Sequence, residues 1–151
     1  RIACAGLILP DNPEEAMAIL TAVRAKPLAD RAAAEAGLLA GRDYVAGGDT
    51  ARARETLESL ASSRADRIGA EARMAKARLF ESSGRTAEAV EEFQTIAYLF
   101  PDIEDLAAEG LAQAARVARA RGERDRARGF EDRLRTEYPD SGWALELEGT
   151  R

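Results

Sequence analysis

Apolar residues recur along this chain at helical spacing, and the whole pattern then recurs at a fixed distance. Placing Ala34-Glu35-Ala36 over Ala70-Glu71-Ala72 brings Tyr44 over Phe80, Gly48 over Gly84, Ala53 over Ala89, Leu57 over Phe93 and Leu60 over Ile96, an offset of 36 at every pair. A third copy follows at 38, from Gly84 to Gly122, Ala89 to Ala127 and Pro101 to Pro139. Self-similarity at that period, in an apolar pattern of helical spacing, predicts stacked helical hairpins.

Each copy reads as a helix A, a Gly-marked turn, a helix B and a Pro- or polar-marked exit. Helix A of the first full copy is expected over Asp30 to Ala46, with Gly47-Gly48-Asp49-Thr50 as turn and helix B over Ala51 to Ser62. The glycines supply positive φ, and Asp49 or Thr50 caps the second helix. The next copy places its helices at Arg67 to Ser82 and Thr86 to Leu99, stopped by Pro101-Asp102. The last places them at Ile103 to Arg121 and Glu123 to Glu137, closed by Tyr138-Pro139-Asp140-Ser141. The organisation is therefore a partial repeat over 1–29, repeats over 30–66, 67–102 and 103–140, and a tail or short capping helix over 141–151. In the partial repeat, Pro13-Glu14-Glu15-Ala16 opens a helix B whose Ala16, Leu20 and Val23 match Ala53, Leu57 and Leu60. Arg1 to Leu9 then read as the tail of its helix A. In the tail, Trp143, Leu145 and Leu147 alternate over too short a run to separate helix from strand.

Composition agrees with close helix packing. Hydrophobic residues make up 46% of the chain but aromatics only 5%, so the apolar share is mostly Ala and Leu, which suits helices better than a sheet. The net charge of −5 argues against a general nucleic-acid surface. No apolar run is long enough to span a bilayer, so direct membrane insertion of this segment is not expected. Arg1 is not an initiator residue, which reads as a processed or excised chain. A single cysteine and no histidine exclude an internal disulfide, a multi-cysteine metal site and the usual zinc chemistry. Cys4 falls in a small-residue slot of the repeat and reads as buried. No nucleophile–base pair and no Gly-rich phosphate loop is visible, so no catalytic residue, metal or cofactor is expected.

The order of small residue, aromatic, Gly, Ala, aromatic or Leu, apolar residue and Pro resembles the tetratricopeptide repeat. It stands most fully as Ala77, Phe80, Gly84, Ala89, Phe93, Ile96 and Pro101. The copy before it has Gly41, Tyr44, Gly48, Ala53, Leu57 and Leu60 but Ala65 in place of the proline. The copy after it has Ala115, Gly122, Ala127, Leu134 and Pro139, with Ala118 at the aromatic position and Phe130 one residue early. The resemblance implies an all-α, right-handed superhelical solenoid of antiparallel hairpins that holds protein or peptide partners in a concave groove. The longer exits, and the phrase from Arg135 to Ala144, resemble bacterial envelope proteins of this kind, which implies a periplasmic or envelope setting in a larger bacterial assembly.

The candidate site is a ladder. Arg42, Arg78 and Arg116 occupy one position of helix A in three copies, and Glu35, Glu71 and Glu109 stand seven residues before them. Seven residues is about two turns, so both sets share a face. In the resembled family that face lines the groove, which would add Leu38, Met74 and Ala112, then Val45, Glu81 and Arg119. Planar guanidinium forks suit carboxylates, so a row of them suits an acidic or extended peptide. The plainer alternative is that each Arg pairs with a Glu of its own or an adjacent helix. Leu38, Met74 and Ala112 occupy the positions where the family's carboxylate-clamp subtype would have lysine, so chaperone-tail binding is not expected. Acids outnumber bases eight to four between Ala70 and Asp105, whereas Ala108 to Glu137 holds eight arginines against six acids. That asymmetry reads as solvated faces with helix ion pairs, or as a surface for a homo-oligomer. A spacer or self-association module without a groove ligand is the alternative function.

Overall fold

A computed structural model describes residues 27–149 of the chain, in two units, one ending at Ala36 and the other running from Gly37. Its helices are α1 (Pro27–Ala46), α2 (Thr50–Ser63), α3 (Arg67–Ser82), α4 (Thr86–Leu99), α5 (Glu104–Ala120), α6 (Arg124–Glu137) and α7 (Gly142–Gly149). No strand occurs among the described residues. The expected partial repeat, with Cys4, Ala16, Leu20 and Val23, lies outside them. From α2 onward each helix packs on the next, and α7 rests on both α5 and α6. The fold is thus an all-α solenoid of helical hairpins.

The three A-to-B turns share one hydrogen-bond pattern. Gly48, Gly84 and Gly122 have φ of 78°, 76° and 83°. The residue after each glycine donates five residues back: Asp49 to Tyr44, Arg85 to Phe80 and Glu123 to Ala118, at 2.9, 2.8 and 2.9 Å. The glycine N–H itself bonds three residues back. This is the Schellman arrangement, which satisfies the last carbonyls of the A helix and needs a left-handed residue. Gly47 has no positive φ, so one glycine of the pair meets that need. Asp49 caps α2 by accepting from the Arg52 N–H at 3.1 Å. Asp66 caps α3 through Gly69 at 3.2 Å.

The small residues sit where helices approach. Ala53, Ala77 and Ala89 are fully buried, and Ala115 and Ala127 nearly so. A Cβ built on Gly41 would lie 2.7 Å from the Leu57 side chain of the following helix. Leu57 and Phe93 fill the space beside these slots and are themselves fully enclosed. Phe100 and Tyr138 repeat one another at the exits of α4 and α6, both buried. The alternation of Trp143, Leu145 and Leu147 belongs to a helix, because Ser141 caps α7 and its hydroxyl accepts from the Ala144 N–H at 3.2 Å. Elsewhere the ends move slightly. The first helix opens at Pro27 instead of Asp30, and α5 is a residue shorter at each end than Ile103 to Arg121. Proline lacks the N–H that a first turn leaves unpaired, so it suits a helix start.

Candidate functional site

Helices α1, α3 and α5 place the three ladder arginines. Within one helix, residues seven apart are separated by about 10 Å along the axis. The ion pairs therefore run between helices. Arg42 reaches Glu71 at 3.0 Å and Arg78 reaches Glu109, so each arginine bonds the glutamate of the next A helix. Arg116 turns the other way. Its Nη2 bonds both oxygens of Glu81 at 2.8 and 2.7 Å, and its Nε bonds Gln113 at 2.8 Å. Arg119 of α5 pairs with Glu131 of α6. Glu35 lies in the first unit, where Arg31 bonds it at 2.9 Å.

In the pairs of Arg42, Arg78, Arg116 and Arg119 the arginine is the outer partner, whereas Arg67 and Asp105 are about equally exposed. The side chains of Arg42, Arg78, Arg116 and Arg119 are 50%, 59%, 54% and 58% exposed, against 27%, 19%, 29% and 9% for Glu71, Glu109, Glu81 and Glu131. Carboxylates lie beneath and guanidinium groups above. The Arg42–Glu71 and Arg116–Glu81 pairs, the more exposed of the four, contribute only about 0–1 kcal/mol each, so opening them for another carboxylate costs little. Glu109 and Glu131 lie deeper and hold their arginines more firmly. The apolar members expected beside the ladder sit differently. Leu38 and Met74 lie under the surface, buried, with Met74 in the hydrophobic core. An apolar side chain on this face gains by folding into the helix seam. Val45 and Ala112 are half-buried.

Two further features were not singled out from the sequence. Lys76 of α3 is almost wholly buried and bonds Glu58 of α2 and Glu92 of α4, both at 2.7 Å. Arg73 adds a bond to Glu92 at 3.2 Å and another to the Ala61 carbonyl at 3.0 Å. The signal was available: Lys76 aligns with Ala40 and Ala114 in the neighbouring copies. The second feature lies at α7. A cleft of about 190 Å³ runs between α5 and α7, with Ala112, Ala115, Trp143 and Leu147 as its apolar walls. Arg116 and Arg119 stand at its edge. Around the N-terminus of α7, Glu104, Asp105, Glu137, Asp140 and Glu146 line a wider cavity of about 570 Å³. Trp143 borders both spaces, and the chain has one tryptophan.

Neighbouring cations shift several carboxylates. The Arg64 guanidinium holds Asp66 below the usual carboxylate range, with Gly69 adding to the effect and burial opposing it. Arg67 does the same for Asp105, across from α3 to α5. Among the described residues, no group of His, Cys, Asp and Glu is placed to hold a metal, and no helix is long and apolar enough to cross a membrane.

A family model described as tetratricopeptide repeat matches residues 35–66, which take in most of α1 and the whole of α2. No curated protein matches the chain.

Proposed function

We propose that this chain, whose residues 35–66 match a tetratricopeptide repeat model, is a protein of that repeat type and that its A-helix face holds an acidic, extended segment of a partner protein. Repeats of this family are generally protein–protein interaction modules and typically lack catalysis. The observation carrying the reading is the layering of the ladder, with four half-exposed arginines lying over less exposed carboxylates. A guanidinium has five N–H donors, and Arg42 and Arg78 each bond a single carboxylate oxygen within hydrogen-bond distance. Their pairing still leaves donors for a ligand. The repeat borders at 66/67 and 102/103 and the concave groove belong to the same proposal, supported by the recurrence of the apolar pattern, and a place in a bacterial envelope assembly belongs to it on the resemblance of the exit phrase alone.

The pairing of every ladder arginine also favours a second reading, in which the ladder only ties consecutive A helices together in a spacer or self-associating module. Calorimetric titration with a capped glutamate-rich peptide separates the two. Binding that weakens with salt and is lost in the combined Arg42→Glu, Arg78→Glu, Arg116→Glu variant is expected for the groove. Equal heats for both proteins would leave the ladder as a structural tie.

A further inference from the structure

We propose that the cleft between α5 and α7 is the anchor pocket of that face, taking one apolar side chain of an acidic peptide. The inference rests on the groove reading and adds the ligand's sequence character. Along most of the A-helix face the apolar side chains are turned inward, as Leu38 and Met74 are. The cleft is where that layer opens. Trp143 and Leu147 are only partly buried, and with Ala112 and Ala115 they bound a space of about 190 Å³. An apolar cavity of about 150 Å³ is enough to bind benzene, so this one has room for a leucine or phenylalanine side chain. Tryptophan is enriched among the residues that carry binding energy at protein interfaces.

Charge at the edge selects what flanks that side chain. Arg116 and Arg119 are both more than half exposed at the cleft. Their partners are committed below: Glu81 accepts both bonds from Arg116, and Glu131 lies between Arg119 and Arg135. Carboxylates on either side of the inserted residue would meet these two guanidinium groups. Glu131 and Glu146 are the carboxylates that line the cleft; Glu131 is buried beneath Arg119, and neutralising the exposed Glu146 strengthens the same ligand. The ligand class is therefore a peptide with a single large apolar residue between acidic ones.

Trp143 gives the direct test, since it is the sole tryptophan and borders the cleft. Its fluorescence is followed while a capped peptide with one leucine between runs of glutamate is added to the whole chain. A saturable spectral shift is expected. Affinity should fall roughly tenfold or more, which is 1.4 kcal/mol or more, when serine replaces the leucine or when Arg116→Glu and Arg119→Glu are combined. Glu146→Gln should tighten it. Helicity of each variant is checked by circular dichroism. A serine peptide that binds as well as the leucine peptide removes the anchor pocket and leaves the groove. No shift with the leucine peptide, or an equal shift with lysine in place of glutamate, overturns the proposal. The lysine result would place a cationic ligand in the acidic cavity on the other side of Trp143.

Discussion

Single residues decide how closely the helices approach, and the glycines show it best. A Cβ on Gly110 would stand 2.6 Å from the Phe93 carbonyl oxygen, a backbone atom that cannot swing aside. Gly110→Ala should therefore destabilise the fold by about 1–3 kcal/mol through forced separation of α4 and α5. Gly129, inside α6, has nothing within 4 Å of the same position. Gly129→Ala should stabilise by roughly 0.5–1 kcal/mol through helix propensity alone. Urea unfolding of both variants checks the pair, and a change of the same sign in both would contradict this packing. Neither glycine was distinguishable in the sequence, because both interrupt helical runs and the difference lies in what the neighbouring helix presents. The turn glycines were legible: Gly84 and Gly122 recur with the copies, and a left-handed position leaves few alternatives.

At the scale of elements, α3 is held by charge as well as by apolar packing. Lys76 lies between Glu58 of α2 and Glu92 of α4 and joins one hairpin to the next. Removing the cation leaves Glu92, whose side chain is only 18% exposed, facing Arg73 alone. Lys76→Ala should cost on the order of 3 kcal/mol, the usual result of breaking one side of a buried pair. An unfolding midpoint within error of the parent would mean that water replaces the ammonium freely. Helix existence and order were readable from α1 to α6, since the 3.6-residue apolar period and the Gly and Pro stops agree, whereas the short run of Trp143, Leu145 and Leu147 left α7 open between helix and strand. The network was legible only in part: Lys76 stands where the neighbouring copies have Ala40 and Ala114, which marks an inward position, but its partners depend on three helices meeting. The sense of the ladder pairs was hidden. The sequence puts Glu and Arg on one face, but only the helix stacking sets Arg42 against Glu71 and turns Arg116 back to Glu81.

Across the described residues, ion pairs run both between helices, as from Arg67 to Asp105, and locally at helix starts, as from Arg64 to Asp66 and from Arg85 to Glu88, and they link stability to pH. Asp66, Glu88, Asp105 and Glu123 are all held below their ordinary range, chiefly by hydrogen bonds from Arg64, Arg85, Arg67 and Arg121 respectively. A carboxylate with a depressed folded-state pKa binds protons more readily when unfolded. Its contribution is complete above the unfolded value of about 4 and is lost as pH falls through the folded one. The melting temperature should thus be flat from neutrality to about pH 5 and drop below about pH 4. A rise on acidification would show that repulsion among the excess acids outweighs these pairs.

The functional account rests on one arrangement, guanidinium groups lying outermost along the A helices. Nuclear magnetic resonance of the isotopically labelled chain, titrated with a capped glutamate-rich peptide, examines it most directly. Saturable shifts centred on Arg42, Arg78, Arg116 and Arg119, with α2, α4 and the outer side of α6 unmoved, are the expected result. Shifts confined to the α2, α4 and α6 surfaces, or none at all, would contradict it.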